Sequence, residues 1–95
     1  MSPYRVVLTP AARRQLDHVK GSDAMALRGV VLALAVEPRP RGARRLQGLQ
    51  GLWRIRVVID GAPWRVVYQL RPQEGEIVVT RIVRRDEATY RRLTP

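Results

Sequence analysis

Hydrophobic residues alternate with arginines from Trp53 to Val57, reading WRIRV, and the pattern returns at Trp64-Arg65-Val66-Val67-Tyr68. Successive residues of a strand point to opposite faces, so Arg54 and Arg56 share one face while Trp53, Ile55, Val57 and Ile59 share the other. Asp60-Gly61-Ala62-Pro63 supplies the turn formers between the two runs. In the second run, Trp64, Val66, Tyr68 and Leu70 line one face and Arg65 the other. Pairing the runs as an antiparallel hairpin, with both apolar rows on one core, brings Arg65 beside Arg54 and Arg56. A bulge near Val58 would shift one strand against the other.

The remaining elements flank this stretch, which runs from Arg44 to Leu70. Tyr4 to Leu8 is a short strand, and Thr9-Pro10 is an N-cap followed by proline at the first helical position. Ala11 to Val19 places Ala12, Leu16 and Val19 on one helical face, and Gly21 ends that helix. Ser22-Asp23 then caps a second helix, in which Ala24, Leu27, Val30, Val31 and Leu34 repeat at helical spacing up to Glu37, before Pro38. Gly29 inside it costs about 1 kcal/mol relative to alanine, for which close helix packing is the expected reason. Pro38 to Gly42 is a basic connection whose Arg39 and Arg41 read as solvated, with a binding role as the alternative because they directly precede the hairpin. After the turn Pro72-Gln73-Glu74-Gly75, Glu76 to Val83 is dense in β-branched residues but alternates incompletely, and it forms the last strand. Asp86-Glu87 suits the positive end of a short helix, Ala88 to Leu93, which carries Tyr90. The expected fold is α+β: a strand, a helical hairpin, a three-stranded antiparallel meander and a short C-terminal helix, with helices on one face of the sheet.

Ninety-five residues correspond to a single domain over 1–95, and a chain of this size buries only about 60 to 65 per cent of its unfolded surface, so the core is thin. A net charge of +10 attracts phosphate backbones or an acidic protein, and Lys20 is the only lysine among the 18 basic residues. Arginine offers a planar fork for bidentate phosphate contacts. Cysteine is absent, which excludes disulfides, thiolate metal sites and a cysteine nucleophile. No leader pattern and no apolar run of membrane-spanning length is present, so the expected location is the cytoplasm, with no membrane partner.

Several catalytic devices fail on inventory. Serine occurs only at Ser2 and Ser22, and the single histidine, His18, is a surface residue of the first helix. The carboxylates lack metal-ligand spacing, and Gly48-Leu49-Gln50-Gly51 lacks the lysine and following helix of a phosphate loop, so neither metal nor cofactor is expected. What remains is a guanidinium cluster with one tyrosine nearby. RNA is cut by its own 2′-hydroxyl attacking the adjacent phosphorus when a proton acceptor, charge stabilisation and a proton donor are supplied. Arg54, Arg56, Arg65 and Arg85 serve the charge stabilisation; arginine stays protonated, so Tyr90 is the best candidate acceptor, its pKa lowered by neighbouring positive charge. Arg44, Arg45 and Arg84 are candidate contacts to the RNA backbone. Trp53, Trp64 and Tyr68 fall with the apolar rows and read as core, with Tyr68 needing a partner for its hydroxyl.

Taken in order, YRVVLTPAARRQL, a helix ending before Pro38-Arg39-Pro40-Arg41-Gly42, LxGxxxxWRIRV, WRVVYQL and VTRIVRRDEATY resemble the RelE/ParE superfamily of bacterial toxins from toxin–antitoxin pairs over nearly the whole chain. The resemblance implies a ribosome-dependent mRNA endoribonuclease without a metal. It places Arg54 and Arg56 at the family's basic pair, Arg65 on the next strand, Arg85 at the end of the last strand and Tyr90 in the terminal segment. The basic pair is lysine in the best-known members and arginine here, which leaves the general base open, and the spacing to Tyr90 permits either Arg84 or Arg85 as the strand-end arginine. The implied partners are a cognate acidic antitoxin, the ribosome and mRNA. The alternative is a ParE-like toxin that inhibits DNA gyrase by binding and needs neither Tyr90 nor the arginine face; a third reading is a plain nucleic-acid-binding module.

Overall fold

The computed structural model describes residues 3–48 and 51–85. The C-terminal helix expected over Ala88 to Leu93, with Tyr90, lies outside the described residues. In chain order the elements are β1 (Arg5–Leu8), α1 (Pro10–Asp17), α2 (Gly21–Ala33), β2 (Arg44–Arg45), β3 (Leu52–Ile59), β4 (Ala62–Arg71), a 3₁₀ turn (Pro72–Glu74) and β5 (Glu76–Arg84). Five strands form one sheet in the order β1-β5-β4-β3-β2. β1 runs parallel to β5, and the other neighbours are antiparallel. The fold is therefore the expected α+β arrangement with an added two-residue edge strand, β2.

One side of the sheet carries the core. Ile55, Trp64, Val66, Tyr68, Leu70, Ile77, Val79 and Ile82 pack there with Ala12 and Leu16 of α1 and with Leu27, Val31 and Leu34 from α2 and its C-terminal end. Local chemistry fixes the start of the first helix as read, since Thr9 Oγ1 accepts from the Ala12 N–H at 3.2 Å and Pro10 occupies the first turn, but the helix ends at Asp17, short of the expected Val19. α1 is anchored to β5 by Gln15, whose Oε1 accepts the Ile82 N–H at 2.7 Å.

Three local expectations are corrected. Gly21 does not close the first helix but opens the second, at φ 61°; Lys20 is the N-cap without a side-chain hydrogen bond, in place of Ser22-Asp23. α2 ends at Ala33, short of Glu37, because the N–H groups of Leu34, Ala35 and Val36 bond to carbonyls three residues back and tighten the chain. Gly29 has nothing within 4 Å of where a Cβ would stand, so close packing does not account for it. Apolar side chains are exposed on α2 and just past its end: Met25 and Leu32 are 72% and 66% exposed, and Val36 is 82% exposed.

The β3–β4 turn is tighter than the four residues read from sequence. Asp60 and Gly61 alone form it, both at positive φ (50° and 78°), the pattern of a type I′ hairpin whose twist matches that of its strands. Pro63 lies within β4 opposite Val58. The sheet irregularity expected near Val58 occurs instead between β4 and β5, at Val67/Tyr68, where Val67 pairs with Arg81, Tyr68 pairs with Val79 and Thr80 is the extra residue. The Thr80 hydroxyl donates to the Val67 carbonyl at 3.3 Å.

Candidate functional site

The face of the sheet away from the helices is built by strand register. Arg44 pairs with Arg54, Arg54 with Val67, and Val67 with Arg81, forming one row across four strands. The next row is Arg56, Arg65 and Val83. One step further, the Arg85 N–H donates to the Pro63 carbonyl at 2.7 Å, which continues the β4–β5 pairing and sets Arg85 on the same side as Arg65 and Val83. Parity along β3 and β4 therefore places Arg54, Arg56 and Arg65 together, opposite Ile55 and Val66, as the alternation predicts.

The bulge at Thr80 decides what β5 contributes. Without an extra residue, 81, 83 and 85 would fall in phase with the core residues Ile77 and Val79. With it, Ile82 takes the core position, and Arg81 and Arg85 turn to the arginine face. Arg84 pairs with Trp64 on the helix side instead, near the carboxylates of Asp23 and Asp60. Arg45 likewise leaves the cluster, because it pairs with Trp53 rather than with Arg54. The structure thus brings together Arg44, Arg54, Arg56, Arg65 and Arg85, separates Arg45 and Arg84 from them, and adds Arg81. Sequence reading missed Arg81; the signal was the broken alternation of IVVTRIV, which marks the bulge.

Electrostatics agree with this placement. Partial burial and then the positive fields of Arg56, Arg65, Arg44 and Arg85 lower the pKa of Arg54 from its ordinary value. The positions around Arg54, Arg56 and Arg65 are filled by Leu52, Val58, Pro63, Val67, Arg81 and Val83, with no carboxylate among them. Val67 is buried between Arg54 and Arg81. Beside it lies a depression of about 360 Å³, lined by Leu46, Leu52, Arg65, Val67, Thr80 and Arg81. Apolar floor and cationic rim together match a nucleotide, whose base is flat and whose phosphate is charged. Arg85 Nε is buried with no hydrogen-bond partner among the described residues.

Among the described residues this part of the face supplies cations and no residue identified as a proton acceptor. Tyr68 is not one: it sits on the core side, burial pushes its pKa up to about 12 against the opposing pull of Arg39, and its hydroxyl donates to the Pro38 carbonyl at 2.6 Å. His18 is on α1, in the helix layer, with Nδ1 at 2.7 Å from the Arg14 carbonyl. Tyr90 falls outside the described residues. Among the described residues no group of three or more His, Cys, Asp or Glu side chains converges as a metal set would, and no helix is long and apolar enough to cross a membrane.

The model of a family described as the ParE toxin of the type II toxin–antitoxin system parDE matches residues 6–89. No curated protein sequence matches significantly. Among solved structures, the chain is similar to the toxin–antitoxin complex RelBE2 from Mycobacterium tuberculosis, at 26% identity and TM-score 0.73, covering 87% of this chain and 99% of that one. The isolated RelE toxin of E. coli shares the fold at 15% identity and TM-score 0.72, with 95% of each chain covered. The archaeal RelE–RelB complex from Pyrococcus horikoshii OT3 does so at 20% identity and TM-score 0.69, covering 90% of this chain and 98% of that one.

Proposed function

This chain belongs to the ParE toxin family within the RelE/ParE superfamily of type II toxins, and from that premise we propose that it is a ribosome-dependent mRNA endoribonuclease. The observation that carries the reading is the register that sets Arg56 opposite Arg65, with Arg54, Arg44 and Arg85 around them on one face of the sheet. Packing like charges together opposes folding, and a polyanion on that face offsets it.

In the proposed reaction the 2′-oxygen of one nucleotide attacks the adjacent phosphorus. The bond from phosphorus to the 5′-oxygen breaks, and the departing oxygen takes a proton from solvent water, leaving a 2′,3′-cyclic phosphate and a 5′-hydroxyl. Arg65 and Arg85 donate hydrogen bonds to the phosphorane oxygens as negative charge builds on them, Arg54 and Arg56 complete the positive field, and Arg44 holds the backbone at the edge of the site. In this reading Tyr90 is assigned the role of taking the proton from the 2′-hydroxyl. No metal is required for these steps.

Relatives of this fold crystallise with their antitoxins, as RelBE2 and the P. horikoshii pair do. For a chain of charge +10 the matching partner is a cognate acidic antitoxin that neutralises the arginine face, in the cytoplasm where ribosomes are found. The family description names ParE of parDE, which favours a second reading: inhibition of DNA gyrase by binding. Two assays run on the same preparation separate the readings. Ribosome-dependent cleavage of mRNA by the wild type, lost in Arg65→Ala, is the expected result; blocked gyrase supercoiling without RNA cleavage would replace the nuclease reading with the second one.

A further inference from the structure

A second recess lies at the other end of the sheet, where the start of β3 and the end of β4 meet the 3₁₀ turn. Its volume is about 600 Å³, within the range of roughly 300 to 1,000 Å³ typical of small-ligand sites. Trp53 forms part of its wall, with Arg39, Arg45, Arg71, Gln69 and Gln73 around it and Glu74 as the one carboxylate among the described residues that line it. Trp53 is only half-buried, unlike Trp64 and Tyr68, so part of its ring is open to this space. The basic loop is held beside it by the hydrogen bond from Tyr68 to the Pro38 carbonyl, which positions Arg39. Arg71 keeps a 46% exposed side chain and approaches Glu76 only at 3.7 Å.

Edge strand β2 links this recess to the arginine face. Its two residues alternate in direction, so Arg44 stands with Arg54 and Arg45 stands with Trp53. A continuous basic path therefore rounds the sheet edge from one face to the other. We propose that the recess is a second contact for single-stranded RNA, taking one nucleotide whose base stacks on Trp53 and whose phosphate is held by Arg39, Arg45 and Arg71. Every base has a flat face and every nucleotide a phosphate, so such a contact fixes the direction of the strand with little sequence preference. A strand that leaves the cleavage face at Arg44 reaches the recess by passing over β2. The contact rests on the RNA reading of the arginine face, and it extends the footprint beyond the reacting nucleotides.

The test uses the full chain and a 2′-O-methyl octanucleotide, which lacks the attacking hydroxyl and is not cut. Trp53 and Trp64 are the only tryptophans, and Trp64 is buried, so quenching of tryptophan emission on titration reports Trp53. Wild type should bind with quenching. Arg39→Ala with Arg71→Ala alters exposed side chains only, and it should lower affinity on the order of 10-fold or more, abolish the quenching and flatten the salt dependence. Trp53→Leu, checked for folding by circular dichroism, should lose affinity on the order of 10- to 100-fold, as expected when one stacked base is lost. If the double arginine variant binds and quenches like wild type while Arg54→Ala with Arg56→Ala does not bind, the second contact is wrong and the RNA reading stands. If wild type binds no octanucleotide at low salt, the RNA reading itself fails, and this contact fails with it.

Discussion

Arg56 of β3 sits directly opposite Arg65 of β4, side chains on the same face of the sheet. Cross-strand neighbours of like charge destabilise a sheet, and here a third guanidinium, Arg54, stands two residues along the same strand. A sequence selected for stability alone would place a threonine or a carboxylate at one of these positions. Arg56→Thr should therefore raise the stability of the free protein by about 0.2 to 1 kcal/mol in urea denaturation, while weakening RNA binding. The plot of log affinity against log salt should lose a slope of roughly 0.7 for the single phosphate contact removed. A variant that is both less stable and unaltered in RNA binding would mean that Arg56 is held by structure, not by a ligand.

Gly29 offers a second stability test, independent of the site. It lies within α2, an added Cβ would meet nothing within 4 Å, and its φ is not in the left-handed region. Alanine there loses less backbone entropy on folding, so Gly29→Ala should stabilise by about 0.5 to 1 kcal/mol with RNA cleavage unchanged. Equilibrium unfolding monitored by circular dichroism measures it.

The hairpin tip and the start of α2 carry a pH-dependent link. The Asp23 carboxyl is raised above its ordinary 3.8, first by a hydrogen bond shared with Asp60, then by burial and by the Asp60 charge, against the opposing attraction of Arg84. A carboxyl raised in the folded state contributes stability that is complete below its unfolded value and is lost as pH rises through the folded value. The contribution is thus complete below about pH 3.8 and fades as pH rises through the higher folded value. Asp23→Asn keeps a donor toward Asp60 at every pH, so it should be more stable than wild type at neutral pH, with the difference shrinking in mild acid. Urea titrations of both proteins across that range would reveal it.

What the sequence made legible was whatever depends on parity or local capping. Alternation gave the faces of Arg54, Arg56 and Arg65 because β3 and β4 pair without interruption, and Thr9-Pro10 gave the start of α1. The last strand was harder: one unpaired residue, Thr80, reverses the facing of everything after it, so the choice between Arg84 and Arg85 needed the register of β4 against β5. β2 was not legible, since two residues carry no period, yet it decides that Arg44 and Arg45 part to opposite faces. The C-terminal end of α2 was overestimated because Leu34, Ala35 and Val36 continue its apolar composition while their hydrogen bonds change from four residues back to three.

Arg85 and Tyr90 bear the most direct test of the chemistry, because they divide it. Arg85 reaches the face by virtue of the Thr80 bulge and the bond from its N–H to Pro63. Replacing it with alanine removes a charged donor to the phosphorane and should slow ribosome-dependent cleavage on the order of 10² to 10³-fold, as loss of an oxyanion donor does. Arg84→Ala, altering the helix side, should leave the rate within a few-fold. Tyr90→Phe keeps the ring and deletes only the hydroxyl, so a packing tyrosine would lose little and a proton acceptor would lose most of its rate. The expected outcome is that Tyr90→Phe folds and binds antitoxin as wild type does, cleaves RNA far more slowly and no longer arrests growth. If arrest persisted in that variant and in Arg85→Ala alike, with gyrase supercoiling blocked by both, toxicity would not depend on nuclease chemistry, and inhibition of gyrase by binding would be the activity of this chain.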